Sequence, residues 1–151
     1  SSEVWDGFRV ARRAHPIGLQ VAEEAGSLRA VCAHDGYARL PGRPQHRRTL
    51  ELAGDRVTWI DEIFGASEHT VIGRIPLHPD VAAERIDDSA WRLELPGGAR
   101  LRLSVEGAGA RLDAEAGRFS PEFGVTHERT VLRWRVSGAL PIRVTCRLEV
   151  I

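Results

Sequence analysis

Two histidines, an aspartate, a tyrosine and four arginines fall within sixteen residues, AHDGYARLPGRPQHRR, from Ala33 to Arg48. These side chains do different chemistry. Imidazole exchanges protons near neutral pH. A phenol acts as acid or base once its surroundings tune it. Guanidinium grips carboxylate or sulfate through two parallel N–H bonds. Two accounts fit the stretch. In one, His34, Tyr37, His46 and an arginine, Arg47 or Arg48, converge on an anionic ligand. In the other, Tyr37 anchors a loop, Asp35 caps it, Pro41, Gly42 and Pro44 hold it open, and Arg47 and Arg48 form a strand entrance.

Elsewhere the candidate chemistry thins out. The six histidines (His15, His34, His46, His69, His78 and His127) include no H-x-H or H-x-x-x-H pair, so no local metal frame exists and no metal site is expected in this chain. No G-x-S-x-G elbow occurs, and Ser120 is followed by Pro121, which suits a turn better than a nucleophile. The glycine loops that cradle nucleotides are missing, and GAGA at 107–110 reads as a loop between strands. Asp61/Glu62 and Asp87/Asp88 are adjacent carboxylates. Neighbours on a strand point to opposite faces, so neither pair makes an acid–base couple, and both are expected to be solvated strand ends. No catalytic residue is assigned. Cys32 and Cys146 stand among apolar neighbours in no CxxC pair and are expected to be two buried free thiols.

The elements that must position these residues alternate with a period of two. Ile142, Val144, Cys146, Leu148 and Val150 alternate with Arg143, Thr145, Arg147 and Glu149, the pattern of a strand with one buried face. Leu132, Trp134 and Val136 alternate in the same way against Arg133 and Arg135, with SGALP as the turn between the two segments. PGGA joins Leu93 and Leu95 to Leu101, Leu103 and Val105, while AGD joins Leu50 and Leu52 to Val57 and Trp59; both read as hairpins. The best helical candidate, HPDVAAERIDD (78–88), is short and is read as a turn leading into an extended segment. Turn signals recur about every ten residues, the rhythm of an antiparallel β-sandwich. The fold expected is all-β, antiparallel and a single domain.

Composition fits that class and narrows the partners. The chain has 151 residues, 42% hydrophobic and 28% charged, which suits a folded globular domain. All 21 basic residues are arginine, balanced by 21 acidic ones, so no global positive field exists to attract nucleic acid. No apolar run approaches the roughly 18 residues of a membrane span, so no membrane partner is expected. The chain carries no methionine, its first position included, and is expected to be excised or expressed from something longer.

Several stretches in order resemble the C-terminal β-domain of the heparinase II/III-like polysaccharide lyases. SSEVWDGFRVARRA (1–14) resembles the segment after that domain's metal-site part, and AHDGYARL (33–40) with HRRTLEL (46–52) resembles its HDGY…HRR hairpin. RIPLHPDV (74–81) resembles the F-H-L-H-P pattern, departing at Ile75 and Pro76. RFSPEFGV (118–125), with LP at 140–141, resembles the closing SP-aromatic-G…LP segment. The resemblance spans essentially the whole chain. It implies a β-sandwich packed against an N-terminal α/α-toroid domain of the same protein, with acidic polysaccharide in the cleft between them. The implied reaction is β-elimination: a base removes the C5 proton of a uronic acid while positive groups stabilise the carboxylate. The toroid and the early β-domain segments that supply metal and active-site groups do not match anything here. A divalent metal thus belongs to the complete family domain, and residues 1–151 are read as a partial C-terminal sandwich, not catalytic by itself. A periplasmic or secreted location follows from the family.

Three functions remain open on the sequence: a cleft-forming part of a uronate-polysaccharide lyase, a non-catalytic carbohydrate-binding sandwich, and a structural assembly domain. For the second, Trp5 and Trp91 are the freer stacking platforms, whereas Trp59 and Trp134 lie on apolar faces and are expected in the core. His34, Tyr37, His46, Arg47 and Arg48 are the expected substrate contacts, exposed on the hairpin. Arg47→Ala or Arg48→Ala is expected to weaken acidic-polysaccharide binding without unfolding the domain.

Overall fold

Alternation decides which face of each strand leaves water. In the last strand Ile142, Val144 and Cys146 are buried, while Arg143, Thr145 and Arg147 point the other way. The computed structural model repeats this logic across thirteen strands among the residues it describes, 2–6 and 9–151. Ser1, Gly7 and Phe8, within the segment SSEVWDGFRVARRA, lie outside the described residues. In chain order the strands are β1 (Glu3–Trp5), β2 (Arg9–Arg12), β3 (Pro16–Glu24), β4 (Ser27–His34), β5 (Gln45–Ala53), β6 (Arg56–Phe64), β7 (Glu68–Pro76), β8 (Ala82–Arg85), β9 (Ala90–Glu94), β10 (Arg100–Glu106), β11 (Leu112–Phe119), β12 (His127–Ala139) and β13 (Ile142–Val150). No helix occurs among the described residues.

β1 and β2 pair as a ribbon. The other strands form an eight-stranded sheet, β3-β4-β5-β6-β13-β10-β9-β8, and a three-stranded sheet, β11-β12-β7. The pairings are antiparallel, and the two sheets pack face to face as a single-domain sandwich. Leu103, Val105, Val144 and Cys146 from the large sheet meet Leu112, Leu132 and Trp134 from the small one. Trp134 lies over Gly73, its register partner on β7, and a Cβ at Gly73 would run into the indole ring.

The hairpins at AGD and PGGA are present as β5–β6 and β9–β10, and residues 78–88 turn into the short strand β8. SGALP does not close a hairpin. It carries the chain from the small sheet to the large one, through a cis Leu140–Pro141 bond. Trp134 is a core residue as expected, and Trp59, half-buried, packs against the core. Trp91 is not a free platform: it packs against the core and its indole N–H donates to the Leu112 carbonyl at 3.2 Å. Trp5 is 57% exposed. Both cysteines are free, Cys146 fully buried and Cys32 half-buried rather than buried. Burial pushes the Cys146 thiol up to about 12.

Three strands of the small sheet cannot roof eight. The inner face of β3, β4 and β5 stays open, so Val21, Leu28, Leu50 and Leu52 remain exposed on the side that is core further along the sheet. β7 is the edge of the small sheet facing that open half, and a cleft lies between them.

Candidate functional site

The candidate site is built on one register line of the large sheet. His34 on β4 stands opposite His46 on β5, and His46 stands opposite Ile63 on β6. Two residues along, Arg48 on β5 faces Asp61 on β6. Positions 46 and 48 share a face because the strand period is two, and that face is the one turned toward the small sheet. Arg47, between them, is turned to the opposite face.

The inward residues form one hydrogen-bonded chain. Asp61, 2% exposed, takes bonds from Arg48 Nε at 2.8 Å and Nη2 at 2.9 Å, and pairs with His46 Nε2 at 2.7 Å. A carboxylate only accepts, so His46 Nε2 carries the hydrogen. A neutral His46 then accepts at Nδ1 from His34 Nε2, 3.0 Å away. His34 Nδ1 in turn accepts from the Gly36 backbone N–H at 3.2 Å. Each tautomer is thus set by the next partner, with both rings neutral between a backbone donor and a carboxylate. The Tyr37 ring rests against His34 with centroids 5.2 Å apart.

The electrostatics agree with this assignment. Burial works against the Asp61 charge, but the hydrogen bonds from His46 and Arg48 and the Arg48 charge outweigh it and hold the carboxyl below its usual range. The bond to Asp61 raises Arg48 further above its already high value. Burial, then the neighbouring His46, lower the pKa of His34.

The network opens into a cleft of about 290 Å³. Tyr37, His46, Arg48 and Asp61 line one side, the edge of β7 from 69 to 74 lines the other, and Trp134 is part of the lining. The β7 edge away from β12 carries no strand among the described residues, so its backbone groups are available to a ligand. The loop from Asp35 to Pro44 is tied down rather than held open. His69 Nε2 donates to the Pro41 carbonyl at 2.9 Å, and Ala66 N–H donates to Gly42 O at 3.0 Å. Gly42 has φ of 74°, and a Cβ there would strike the Ala66 carbonyl.

The structure therefore divides the five expected contacts. His34, Tyr37, His46 and Arg48 come together, with the first three half-buried rather than exposed. Arg47 is separate: its Nε and Nη2 donate to Glu62 at 2.9 and 2.8 Å, and its guanidinium lies 4.8 Å from the Phe64 ring centroid. Asp35 does not cap its own loop through its side chain; it accepts from the His15 backbone N–H at 2.7 Å. Asp61 and Glu62 do point to opposite faces, but Asp61 is a buried member of the site and not a solvated strand end. Only pairing β5 with β6 reveals it, because thirteen positions separate it from Arg48. Among the described residues no group of three or more His, Cys, Asp or Glu side chains is arranged to hold a metal ion.

A family described as heparinase II/III-like, C-terminal, matches residues 1–148. Among solved structures, the heparinase III-BT4657 gene product superposes with a TM-score of 0.73 at 16% identity, over 93% of this chain and 22% of that one. The heparan sulfate lyase HepC from Pedobacter heparinus gives a TM-score of 0.74 at 13% identity, over 97% of this chain and 23% of that one. A HepC mutant from the same organism gives 0.76 at 13% identity. At these identities the likeness is one of fold, and the chain spans less than a quarter of the lyases it resembles. No curated protein matches.

Proposed function

The chain belongs to the heparinase II/III-like C-terminal family, and from that membership and the cleft we propose that it forms one wall of the substrate site in a polysaccharide lyase. The reaction is β-elimination on a uronic-acid-containing polysaccharide. The carrying observation is the His34–His46–Asp61–Arg48 network beside Tyr37 at the cleft. Arg48 spends Nε and Nη2 on Asp61, and Nη1 takes no partner among the described residues. A guanidinium fixed in this way offers a preorganised donor to a uronate carboxylate, the group on which charge builds as the C5 proton leaves. Tyr37 supplies an amphipathic ring against which a pyranose can lie.

The remaining catalytic groups come, in this reading, from an N-terminal α/α-toroid domain of the same protein. The open apolar half of the large sheet, with Val21, Leu28, Leu50 and Leu52, supports a packed neighbour on that side. In this reading a divalent metal is held by the complete domain and not by this chain. The location proposed is periplasmic or extracellular, where such polymers are met.

Affinity electrophoresis through gels holding heparan sulfate, alginate or a neutral glucan tests the substrate contact. Retardation in acidic gels alone, fading with salt and reduced by Tyr37→Ala, is the expected result. Equal mobility in all three gels would remove this chain from the substrate site.

A further inference from the structure

The outer face of the large sheet, opposite the cleft, carries a trough. Its floor is the register row Val31–Thr49–Ile60–Thr145 across β4, β5, β6 and β13. One wall is the row Arg47–Glu62–Arg143, and the other begins with Arg29 and Glu51. Thr49 is only 4% exposed although it lies on the outer face, because the flanking charged side chains rise above it. The trough holds about 360 Å³ and runs on past Gln20 into a second hollow of about 410 Å³ over β3 to β5.

Its charges interlock across three strands. Arg47 donates to Glu62 Oε2 from both Nε and Nη2, and Arg143 Nη1 donates to Oε1 of the same carboxylate at 3.2 Å. Two guanidiniums thus share one anion, and one positive charge stays unneutralised. Arg29 and Glu51 pair with each other at 3.2 Å, so the lining holds three arginines against two glutamates. Arg47 is further fixed over the Phe64 ring. Arg47 and Arg143 lie two strands apart, about 10 Å, and the two walls are about 13 Å apart along the strands. That geometry suits a chain with anionic groups at regular intervals, laid across the strands, better than a single small anion.

The geometry points to this trough as a second binding site, for a linear polyanionic saccharide bearing carboxylate or sulfate groups. It rests on the reading of acidic polysaccharide as the ligand, but not on the cleft. Arg47 and Arg143 clamp the anionic groups, and Gln20 and Gln45 supply amides where the trough runs along β3. A polymer engaged on both faces would be held more tightly than by either alone, through its raised effective concentration.

The test is fluorescence anisotropy with a labelled heparan sulfate oligosaccharide on the wild-type chain, Arg143→Ala, Arg47→Ala, Tyr37→Ala and Arg118→Ala, the last on the small sheet. Arg143→Ala and Arg47→Ala are each expected to weaken binding about fivefold, and Arg118→Ala to leave it unchanged. Far-UV circular dichroism and urea midpoints establish that the variants are folded. Unchanged affinity in both trough variants overturns the proposal, and if Tyr37→Ala still weakens binding, the cleft reading stands without it. Loss in the trough variants with none in Tyr37→Ala upholds the trough and removes the cleft contact. Equal affinity for single-stranded DNA of matched charge would also overturn it, by reducing the surface to a general polyanion binder.

Discussion

Replacing Arg48 by alanine separates two neighbouring arginines that the sequence treats alike. Asp61 has a side-chain exposure of 3% and Arg48 one of 52%, with paired contacts of 2.8 and 2.9 Å. Breaking a fully buried pair costs about 3–5 kcal/mol, and breaking an exposed one about 0–1 kcal/mol. Arg48→Ala lies between these limits: its own head is half in water, and Asp61 keeps the His46 bond at 2.7 Å. A loss of about 2 kcal/mol follows, or about 4–8 °C in melting temperature for a domain of this size. Arg47→Ala should cost under about 1 kcal/mol, because Arg47 is exposed and Glu62 keeps Arg143. Urea unfolding of both variants, with Asp61→Asn and the double variant Arg48→Ala/Asp61→Asn, gives the coupling energy directly. Equal stabilities for Arg47→Ala and Arg48→Ala, or a coupling below about 0.5 kcal/mol, would refute the claim that Arg48 compensates a buried charge. The same result decides how binding data on Arg48→Ala are read, since a loss of affinity there includes a loss of fold.

Two more outcomes follow from the same elements. His34 titrates below its ordinary 6.5 in the folded chain, through burial first and then the neighbouring His46, whose ring cannot also hold a second proton beside it, against an opposing pull from Asp35. The unfolded chain therefore binds a proton there that the folded one refuses, and stability present above 6.5 is lost as pH falls from 6.5 toward the folded value. Urea midpoints at about pH 7.5 and about pH 5.5 should fall on acidification in the wild type and fall less in His34→Gln; matching slopes would show that this ring does not carry the effect. Gly42→Ala combines a positive φ with a collision between the new Cβ and the Ala66 carbonyl, and should lower stability by more than about 1 kcal/mol. A thermal melt unchanged from the wild type would mean the loop moves off 65–66 at no cost.

Much of the sheet architecture was legible because strand burial is written with a period of two, as the last strand and the two hairpins at AGD and PGGA show. What alternation cannot express is which sheet a strand joins. SGALP looks like a hairpin turn, yet β12 and β13 lie in different sheets, because inward alternation is the same whichever sheet provides it. The site was legible in part for the same reason. The stretch at 33–48 announced His34, Tyr37, His46 and Arg48 by type, but its buried partner Asp61 lies beyond the next turn and looked like half of a solvated acidic pair. Burial of a carboxylate depends on what stands opposite in register, and here an arginine and a histidine do. Trp91 departs from the expected free platform on related grounds: its indole finds a carbonyl on β11, a strand of the other sheet.

The split between Arg47 and Arg48 makes one pair of strands answerable to two surfaces. β5 and β6 face each other as Arg47–Glu62 and Arg48–Asp61, and each pair closes on its own side of the sheet. The inward pair joins a buried carboxylate to a half-exposed arginine, with a neutral histidine chain behind it. The outward pair shares its carboxylate with Arg143 and keeps a charge to spare. A one-residue slip in the β5–β6 register would turn one strand over against the other, putting Arg47 on the face of Asp61 and Arg48 on that of Glu62. Asp61 resists that slip, since with β6 held in place His46 and Arg48 would turn to the outer face and the buried carboxylate would lose both of its native partners. The charges on this hairpin thus tie its register to two separate side-chain clusters, one on each face. That double duty accounts for the density of titratable residues in the stretch.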